Sequence, residues 1–176
     1  MTGKEFINCL ANGKLDIIQT ILDLLTETGS RYCLIGGLAV NAYVEPVVSL
    51  DLDIVVAVED IETVSKRAGE RGFTVERFQH SVNLTSKGSD LRIQLQTDPR
   101  YQGFITNAET RKVLGYEMKV ARLADVLQGK VWAYVDKERR KSKRQKDLAD
   151  ILRILEAYPE LEEALPQNLR DELKEQ

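Results

Sequence analysis

Apolar residues follow two different spacings along the chain, and the pattern predicts helices and strands in alternation. Helical spacing over residues 14–28 predicts a first helix. Residues 31–35 form a short predicted strand that leads into Gly36-Gly37, and a short helix is expected over 38–44. The order strand, glycines, helix is therefore expected early in the chain.

Strand spacing dominates the middle of the chain. Strands are expected over residues 50–58, 73–78, 81–85 and 90–97, with one or two short strands over 111–120. A helix over 59–70 and a short helix after Pro99 separate them. These strands predict a mixed sheet.

The chain beyond residue 120 is predicted to be helical, with helices over 121–136 and 143–157 and a charged helical tail. A chain of 176 residues usually forms one domain. We therefore predict an α/β core over residues 1–120 and a helical C-terminal subregion over 121–176, packed together as a single compact unit.

With 43% hydrophobic and 30% charged residues and a net charge of −3, the composition is typical of a globular protein and not of one that coats nucleic acid. Glu5 and Asn8 interrupt the N-terminal apolar residues, which argues against a secretory signal and predicts a cytoplasmic protein. The apolar stretch 32–50 is broken by glycines, Asn41 and Pro46, so no membrane span is expected.

Histidine and cysteine are scarce. His80 is the only histidine, and Cys9 and Cys33 are the only cysteines, which excludes a zinc site and a histidine-rich metal centre. Both cysteines have apolar neighbours and are expected to be reduced and buried. Any bound metal must then be held mostly by oxygen ligands, which favours Mg²⁺ or Mn²⁺.

Two carboxylates lie close together on the predicted strand 50–58. Asp51 and Asp53 are two positions apart, so both side chains leave the same face while Ile54 leaves the other. At a separation of about 5 Å, two such charges repel by about 3 kcal/mol where the effective dielectric constant is about 20. On an interior strand, which the apolar residues 55–58 indicate, the pair requires a cation or basic side chains. At a solvated strand end, water alone would suffice.

Gly36-Gly37 occupies the turn between a predicted strand and a predicted helix. Glycines at such a turn let backbone N–H groups approach a phosphate, which a helix N-terminus also favours. A glycine pair is equally compatible with packing alone. The fifteen positions from Gly36 to Asp51 leave room for a short helix and the return to a neighbouring strand, so the glycines and the carboxylates could converge on one nucleotide.

Two segments resemble the signature of the polymerase-β-like nucleotidyltransferase superfamily, and most of all its small bacterial branch with abortive-infection, toxin-type members: Leu34-Ile35-Gly36-Gly37-Leu38-Ala39 and Ser49-Leu50-Asp51-Leu52-Asp53-Ile54. The resemblance implies a nucleotidyltransferase-like mixed β-sheet flanked by helices. It implies that Gly36 and Gly37 hold a triphosphate and that Asp51 and Asp53 bind Mg²⁺ or Mn²⁺. The implied reaction transfers a nucleoside monophosphate from a nucleoside triphosphate to a hydroxyl group of a protein, RNA or small molecule, with release of pyrophosphate. The toxin-type branch also implies an antitoxin-like partner protein.

Lys130 lies in line with an apolar stripe over 123–134, so its ammonium is predicted to lean inward and to need an anion. The resemblance implies a catalytic lysine here that meets phosphate, and then a Lys-Asp-x-x-Asp helix, matched by Lys146, Asp147 and Asp150. Alternatively, Lys130 keeps its charge in water, and the three helix residues form salt bridges on the helix surface.

The match departs from the family at two places. By strand register over 91–96, Gln94 takes the place of a third carboxylate. A glutamine oxygen can ligate Mg²⁺ but brings no charge and no base. Asp90 or Asp98 would substitute only if this strand shifted or bent, and Val47 stands where relatives tend to carry arginine. These departures favour an alternative function, a catalytically degenerate relative that binds a nucleotide or a partner.

Seven basic residues lie from Lys137 to Lys146, the densest charge in the chain. This basic run can attract the triphosphate or an anionic acceptor such as RNA, or it can be a solvated connection between helices. An RNA-binding module is therefore a third interpretation, although the run has no aromatic residues on which single strands would stack.

Overall fold

The computed structural model describes residues 1–13 and 15–174, which form a seven-stranded sheet with helices packed on it. The strands are β1 (Tyr32–Ile35), β2 (Asp51–Val56), β3 (Phe73–Arg77), β4 (Ser81–Ser86), β5 (Arg92–Gln96), β6 (Glu109–Val113) and β7 (Tyr116–Val120). The α-helices are α1 (Gly3–Leu10), α2 (Ile17–Glu27), α3 (Gly36–Val40), α4 (Ile61–Glu70), α5 (Pro99–Thr106), α6 (Leu123–Val135), α7 (Lys141–Ala157) and α8 (Gln167–Lys174). Short 3₁₀ segments cover Val58–Asp60 and Pro159–Ala164.

The sheet is mixed, with strand order β3-β4-β5-β2-β1-β7-β6. The central strand β2, which carries the carboxylate pair, runs antiparallel to β1 and parallel to β5. β1 and β7 are also parallel, whereas the outer pairs are antiparallel. The predicted fold class, a mixed sheet flanked by helices with a helical C-terminal region, is confirmed.

The centre of the sheet is strongly apolar. In β2, Leu52 and Ile54 on one face and Val55 on the other are each at most 1% exposed. Burial on both faces is typical of an interior strand. The apolar stripe of α2 joins the same core through Ile17, Ile18, Ile21, Leu22, Leu24 and Leu25.

The helix after β1 begins earlier than its apolar spacing predicts. α3 starts at Gly36 instead of Leu38 and ends at Val40. Gly36 adopts a φ of +73°, so the chain turns from strand into helix within the glycine pair itself. The two glycines therefore belong to α3 and lie directly against the elements that pack on this helix.

α1 is absent from the spacing-based prediction, although the sequence carries a signal for it. Thr2 and Glu5 form a capping box at its N-terminus. The helix leaves Cys9 exposed, so the expectation of buried cysteines holds for Cys33 and is wrong for Cys9.

The C-terminal helices lie next to the start of β2. α6 and α7 pack against each other, and both contact α3. Because α3 begins at the end of β1, this packing brings α6 and α7 close to the carboxylate-bearing end of β2. Within residues 1–13 and 15–174, no helix is long and apolar enough to cross a membrane.

Candidate functional site

Asp51 and Asp53 stand on one face at the start of β2. The sheet register pairs Asp51 with Arg92 and Asp53 with Gln94 on β5, and it pairs Asp53 with Ile35 on β1. Because β2 is paired on both sides, the sheet itself sets the spacing of the two carboxylates.

Two cationic side chains contact the Asp51 carboxylate. Arg92 Nε lies 2.7 Å from its Oδ1, and Lys143 Nζ lies 3.1 Å from its Oδ2. Burial opposes the ionised form of Asp51, but the hydrogen bond from Lys143 and the charges of Lys143 and Arg92 outweigh burial and lower its pKa. Asp51 is therefore ionised at neutral pH, and basic side chains supply the positive charge that the paired carboxylates require.

Asp53 lies deeper, and within the described residues no side chain donates a hydrogen bond to its carboxyl group. Burial raises the pKa of Asp53 to about 6; the charge of Lys130 opposes this shift, and the charge of Asp51 adds to it. A partly buried carboxylate without a paired cation is a group that a bound cation would stabilise.

The glycine pair permits the close approach of this carboxyl group. A Cβ atom at Gly36 would collide with Oδ2 of Asp53, so the side chain of Asp53 rests against the bare backbone of Gly36. A Cβ atom at Gly37 would lie 3.8 Å from Oδ2 of Asp150 and 3.9 Å from Oγ of Ser49. The structure thus brings the predicted glycines and carboxylates together, as the sequence spacing suggested.

Lys130 leans inward, as predicted, and is 8% exposed. Its Nζ lies 3.0 Å from Oδ1 of Asp147 and 2.7 Å from Oδ2 of Asp150. Burial disfavours the charged lysine, but the two carboxylates outweigh burial and raise its pKa. Arg139 Nε contacts the second oxygen of Asp147 at 2.7 Å, and Arg153 Nη1 contacts the second oxygen of Asp150 at 2.7 Å. The interpretation as a surface salt-bridge residue is wrong for Asp147, which is 2% exposed, whereas Asp150 is partly exposed and pairs with Arg153 three positions along the same helix.

Arg153 connects this network to the loop before β2. It donates hydrogen bonds to Oδ1 of Asn41 and to the carbonyl of Glu45. The Asn41 side chain in turn donates to the Val47 carbonyl at 2.7 Å and accepts from the Val47 N–H at 3.0 Å. α7 therefore holds the loop that leads into the carboxylate pair.

The basic run is divided between the site and the surface. Arg139, Lys143 and Arg144 turn inward and donate to Asp147, Asp51 and the Tyr134 carbonyl. Arg140 and Lys141 are exposed. The run therefore contributes charge to the site and also displays charge around its entrance.

The site is a cleft with two lobes that meet at Asp53 and Lys130. The outer lobe has a cavity volume of about 60 Å³, and its lining includes Gly37, Ser49, Asp51, Lys143, Lys146 and Arg153. The inner lobe has a cavity volume of about 110 Å³, and its lining includes Gln94, Gln96, Tyr101, Phe104, Asp125 and Gly129. The outer lobe is rich in charge, whereas the inner lobe combines charged side chains with the aromatic rings of Tyr101 and Phe104 and the amides of Gln94 and Gln96.

The donor set of the cleft fits a divalent cation held by oxygen. Gln94 stands beside Asp53 in the sheet, as its register predicts. Asp90 and Asp98 cannot replace it, because they bind Asn12 and Arg100. Residues 1–13 and 15–174 contain no cluster of three or more histidine, cysteine or acidic side chains suited to a metal. Two carboxylates and one amide oxygen remain, a set that suits Mg²⁺ or Mn²⁺ better than zinc.

Sequence reasoning missed the partners of the carboxylates. Arg92 faces Asp51 through the β2–β5 register, which was detectable once those strands were paired. The sequence identifies Lys143 and Arg139 only as members of the basic run, because nothing in their spacing shows which carboxylate each of them contacts. Nothing in the sequence indicates that Tyr101 lines the inner lobe.

The architecture is that of nucleotidyltransferases. No model of a protein family matches the sequence, and a search of curated proteins finds no significant match. Solved structures of nucleotidyltransferases do match this chain over most of its length.

Three of these structures illustrate the likeness. ANT(2'')-Ia in complex with adenylyl-2''-tobramycin is 14% identical, with a TM-score of 0.59 over 81% of this chain and 87% of that one. The lincosamide antibiotic adenylyltransferase LnuA, lincomycin-bound, is 13% identical, with a TM-score of 0.56 over 78% of this chain and 95% of that one. An antigenic nucleotidyltransferase-like protein from Paracoccidioides brasiliensis is 16% identical, with a TM-score of 0.54 over 79% and 73% of the two chains. At these identities the likeness establishes the fold.

Proposed function

We propose that this protein is a nucleotidyltransferase that moves a nucleoside monophosphate from a nucleoside triphosphate to a hydroxyl group of a protein, RNA or small molecule. The observation that carries the proposal is the Asp51–Asp53 pair on the interior strand of a nucleotidyltransferase fold, set against the Gly36-Gly37 turn in a cleft lined with cations. Nucleotidyl transfer needs such a concentration of charge, because its substrate carries several negative charges next to the reacting phosphorus.

The outer lobe suits the triphosphate. Lys143, Lys146 and Arg153 line it together with Gly37 and Ser49, so several positive charges surround a space with bare backbone at one wall. Two of the three N–H donors of Lys130 contact the carboxylates of Asp147 and Asp150. Because Lys130 lines both lobes, its positive charge lies at the place where the reacting phosphate would sit.

Asp51, Asp53 and the amide oxygen of Gln94 would hold Mg²⁺ or Mn²⁺. The ion would neutralise charge on the triphosphate and activate the attacking hydroxyl group. Asp51 must first release Arg92, whose side chain is 65% exposed, and Lys143. An ion pair with an exposed partner such as Arg92 is worth about 0–1 kcal/mol, so its release costs little, whereas Lys143, 30% exposed, can move its charge onto the polyphosphate.

Label transfer tests the proposal. The protein is incubated with each nucleoside triphosphate labelled at the α-phosphate, Mg²⁺ or Mn²⁺, and cell extract as a source of acceptors. We expect transfer that Asp51→Asn and Asp53→Asn each reduce at least about 100-fold, because both remove charge at the reacting centre. Asp23→Asn, an exposed change on α2, is the control and should leave transfer intact. Absence of transfer, or transfer that survives both site substitutions, contradicts the proposal.

A second candidate is a degenerate relative that binds a nucleotide or a partner without chemistry. The observation that favours it is the place of Gln94 beside Asp53, combined with the two ion pairs that already neutralise Asp51. Such a site retains the charge needed to bind a triphosphate, while it lacks a third carboxylate.

Calorimetry separates the two candidates. Degeneracy predicts triphosphate binding with Mg²⁺, no turnover, and no gain of turnover in Gln94→Asp. Turnover by the unaltered protein ends this alternative.

The inward contacts of Arg139, Lys143 and Arg144 favour a nucleotide site over an RNA-binding module built on the basic run. Membership of the toxin-type branch and an antitoxin-like partner stay predictions from the sequence resemblance. Both concern biological context, and neither alters the chemistry proposed for the cleft.

A further inference from the structure

The inner lobe lies beyond Asp53, between β5, α5 and α6. Its aromatic wall comes from α5, where the rings of Tyr101 and Phe104 meet edge to face with centroids 5.4 Å apart. Trp132 of α6 stacks on Phe104 at 5.7 Å and meets the edge of Tyr101 at 5.3 Å. The wall is therefore a packed three-ring cluster.

Tyr101 carries an unused polar group in this lobe. The residue is 9% exposed, and its hydroxyl makes no hydrogen bond with any other residue that the structure describes. A tyrosine whose ring is buried and whose hydroxyl lines a cavity without a protein partner is free to bind a ligand.

Other groups of the lobe also keep free hydrogen-bonding capacity. Oε1 of Gln96 accepts from the N–H groups of Thr97 and Asp98, both at 3.0 Å, so the amide NH₂ of Gln96 is left as a donor. Oδ2 of Asp125 accepts from Arg122 Nε at 3.0 Å, which leaves Oδ1 as an acceptor. Together with the Tyr101 hydroxyl, the lobe offers donors and an acceptor around an aromatic wall.

Glycine keeps this lobe open on the α6 side. A Cβ atom at Gly129 would lie 3.3 Å from Cε1 of Tyr101 and 3.6 Å from Cε2 of Phe104. A side chain there would press on both rings and take up space at the aromatic wall. The position is within a helix, where alanine is otherwise preferred to glycine.

We infer that the inner lobe binds the nucleobase of the nucleoside triphosphate. A nucleobase is flat and aromatic with donors and acceptors along its edge, which matches the aromatic wall and the free groups of Tyr101, Gln96 and Asp125. The inference rests on the proposed function: with the triphosphate in the outer lobe and its α-phosphate at Asp53, the nucleoside extends to the other side of Asp53. A cavity of about 110 Å³ bordered by α5 and α6 suits a base and not a macromolecule.

The experiment measures the affinity of two probes for the full chain. Calorimetry compares nonhydrolysable analogues of the four nucleoside triphosphates with inorganic tripolyphosphate, which has the charge but no base. Tyr101→Phe should lower the affinity for the preferred analogue about five- to tenfold, which corresponds to the loss of one hydrogen bond. The affinity for tripolyphosphate should stay unchanged. Because the lost hydroxyl has no protein partner, the variant should unfold at the same temperature as the parent. Tyr158→Phe is the matched control, since its hydroxyl donates to the Tyr43 carbonyl outside the lobe.

A second readout comes from Trp132, the single tryptophan of the chain. Binding of an analogue should change the emission of Trp132, whereas tripolyphosphate should not. Gly129→Ala should lower the affinity for the analogue more than Tyr101→Phe does, again with the affinity for tripolyphosphate unchanged.

The inference is overturned if Tyr101→Phe and Gly129→Ala bind the analogues as tightly as the parent, or if both probes change Trp132 emission equally. These results would leave label transfer and the proposed function untouched. Conversely, analogue binding that depends on Tyr101, without any transfer of label, would support the inner lobe and contradict the proposed reaction.

Discussion

Asp51 and Asp53 are neighbours on one face of β2, yet their pKa values move in opposite directions. Asp51 reaches Lys143 and Arg92, which lower its pKa despite burial. Asp53 reaches no such partner, so burial raises its pKa to about 6. The pair therefore gains its second negative charge as pH rises through about 6, where Asp51 is already ionised, and this second charge is the one that an added cation would meet.

This shift predicts how the stability of the free protein depends on pH. The folded state holds the Asp53 proton more tightly than the unfolded chain does, so Asp53 contributes stability below about pH 4 and loses it as pH rises through about 6. Asp53→Asn removes the cost of burying the charge and should raise the free energy of unfolding at pH 7.5 by up to about 3 kcal/mol. Urea denaturation of the variant and the parent at pH 4.5 and 7.5 measures this difference in the free energy of unfolding. A variant that is no more stable than the parent at pH 7.5 would show that Asp53 ionises without strain.

At the scale of elements, the contact between α6 and α7 is a polar contact inside an apolar interface. Lys130 of α6 reaches Asp147 and Asp150 of α7, while Leu148 and Ile151 of α7 lie in the apolar core beside them. A buried ion pair adds little stability compared with an apolar pair, but the loss of one partner leaves a charge without compensation. The two helices are therefore held in one relative register by charge.

Removal of one partner should expose this dependence. Asp147→Ala leaves Lys130 and Arg139 with fewer negative partners and should lower the free energy of unfolding by about 3 kcal/mol, as for other broken buried pairs. Glu156→Ala, an exposed change on the same helix, should cost less than about 0.5 kcal/mol. Chemical denaturation of both variants provides the comparison, and equal stabilities would mean that the network is structurally neutral.

The strand elements could be predicted further than the helix contacts. Alternation along β2 and β5 placed Asp51 and Asp53 on one face and put Gln94 opposite, because a period of two fixes the side chain's face once a strand is recognised. The start of α3 was wrong by two residues, because glycine is not scored as a helix former even where its φ is needed. Helical spacing does not identify the partner of Lys130, because it shows which way a side chain points and not which group it contacts.

At the scale of the whole molecule, the net charge of −3 conceals a local excess of positive charge. Lys143 and Lys146 line the outer lobe, and Arg140 and Lys141 lie exposed beside it. Such a patch raises the rate at which an anionic substrate meets the site, and salt screens the effect over about 10 Å at 0.1 M. The distribution of charge, and not its sum, is what favours a nucleoside triphosphate as ligand.

Charge reversal at the entrance tests this steering. Arg140→Glu combined with Lys141→Glu should slow triphosphate association several-fold at low salt and have little effect at 0.5 M salt. Stopped-flow fluorescence of Trp132 follows the association. Lys66→Glu, exposed on α4, makes a control with a smaller change of charge away from the cleft. A rate that falls equally at both salt concentrations would point to a direct contact instead of steering.

Cations from residues beyond 120 meet carboxylates that come from before it. Lys143 of α7 reaches Asp51 of β2, and Arg153 ties the same helix to the loop at Glu45. Neither half could be exchanged for that of another protein without leaving charges on both sides unmatched. The cleft is thus built jointly by strands that precede residue 120 and helices that follow it.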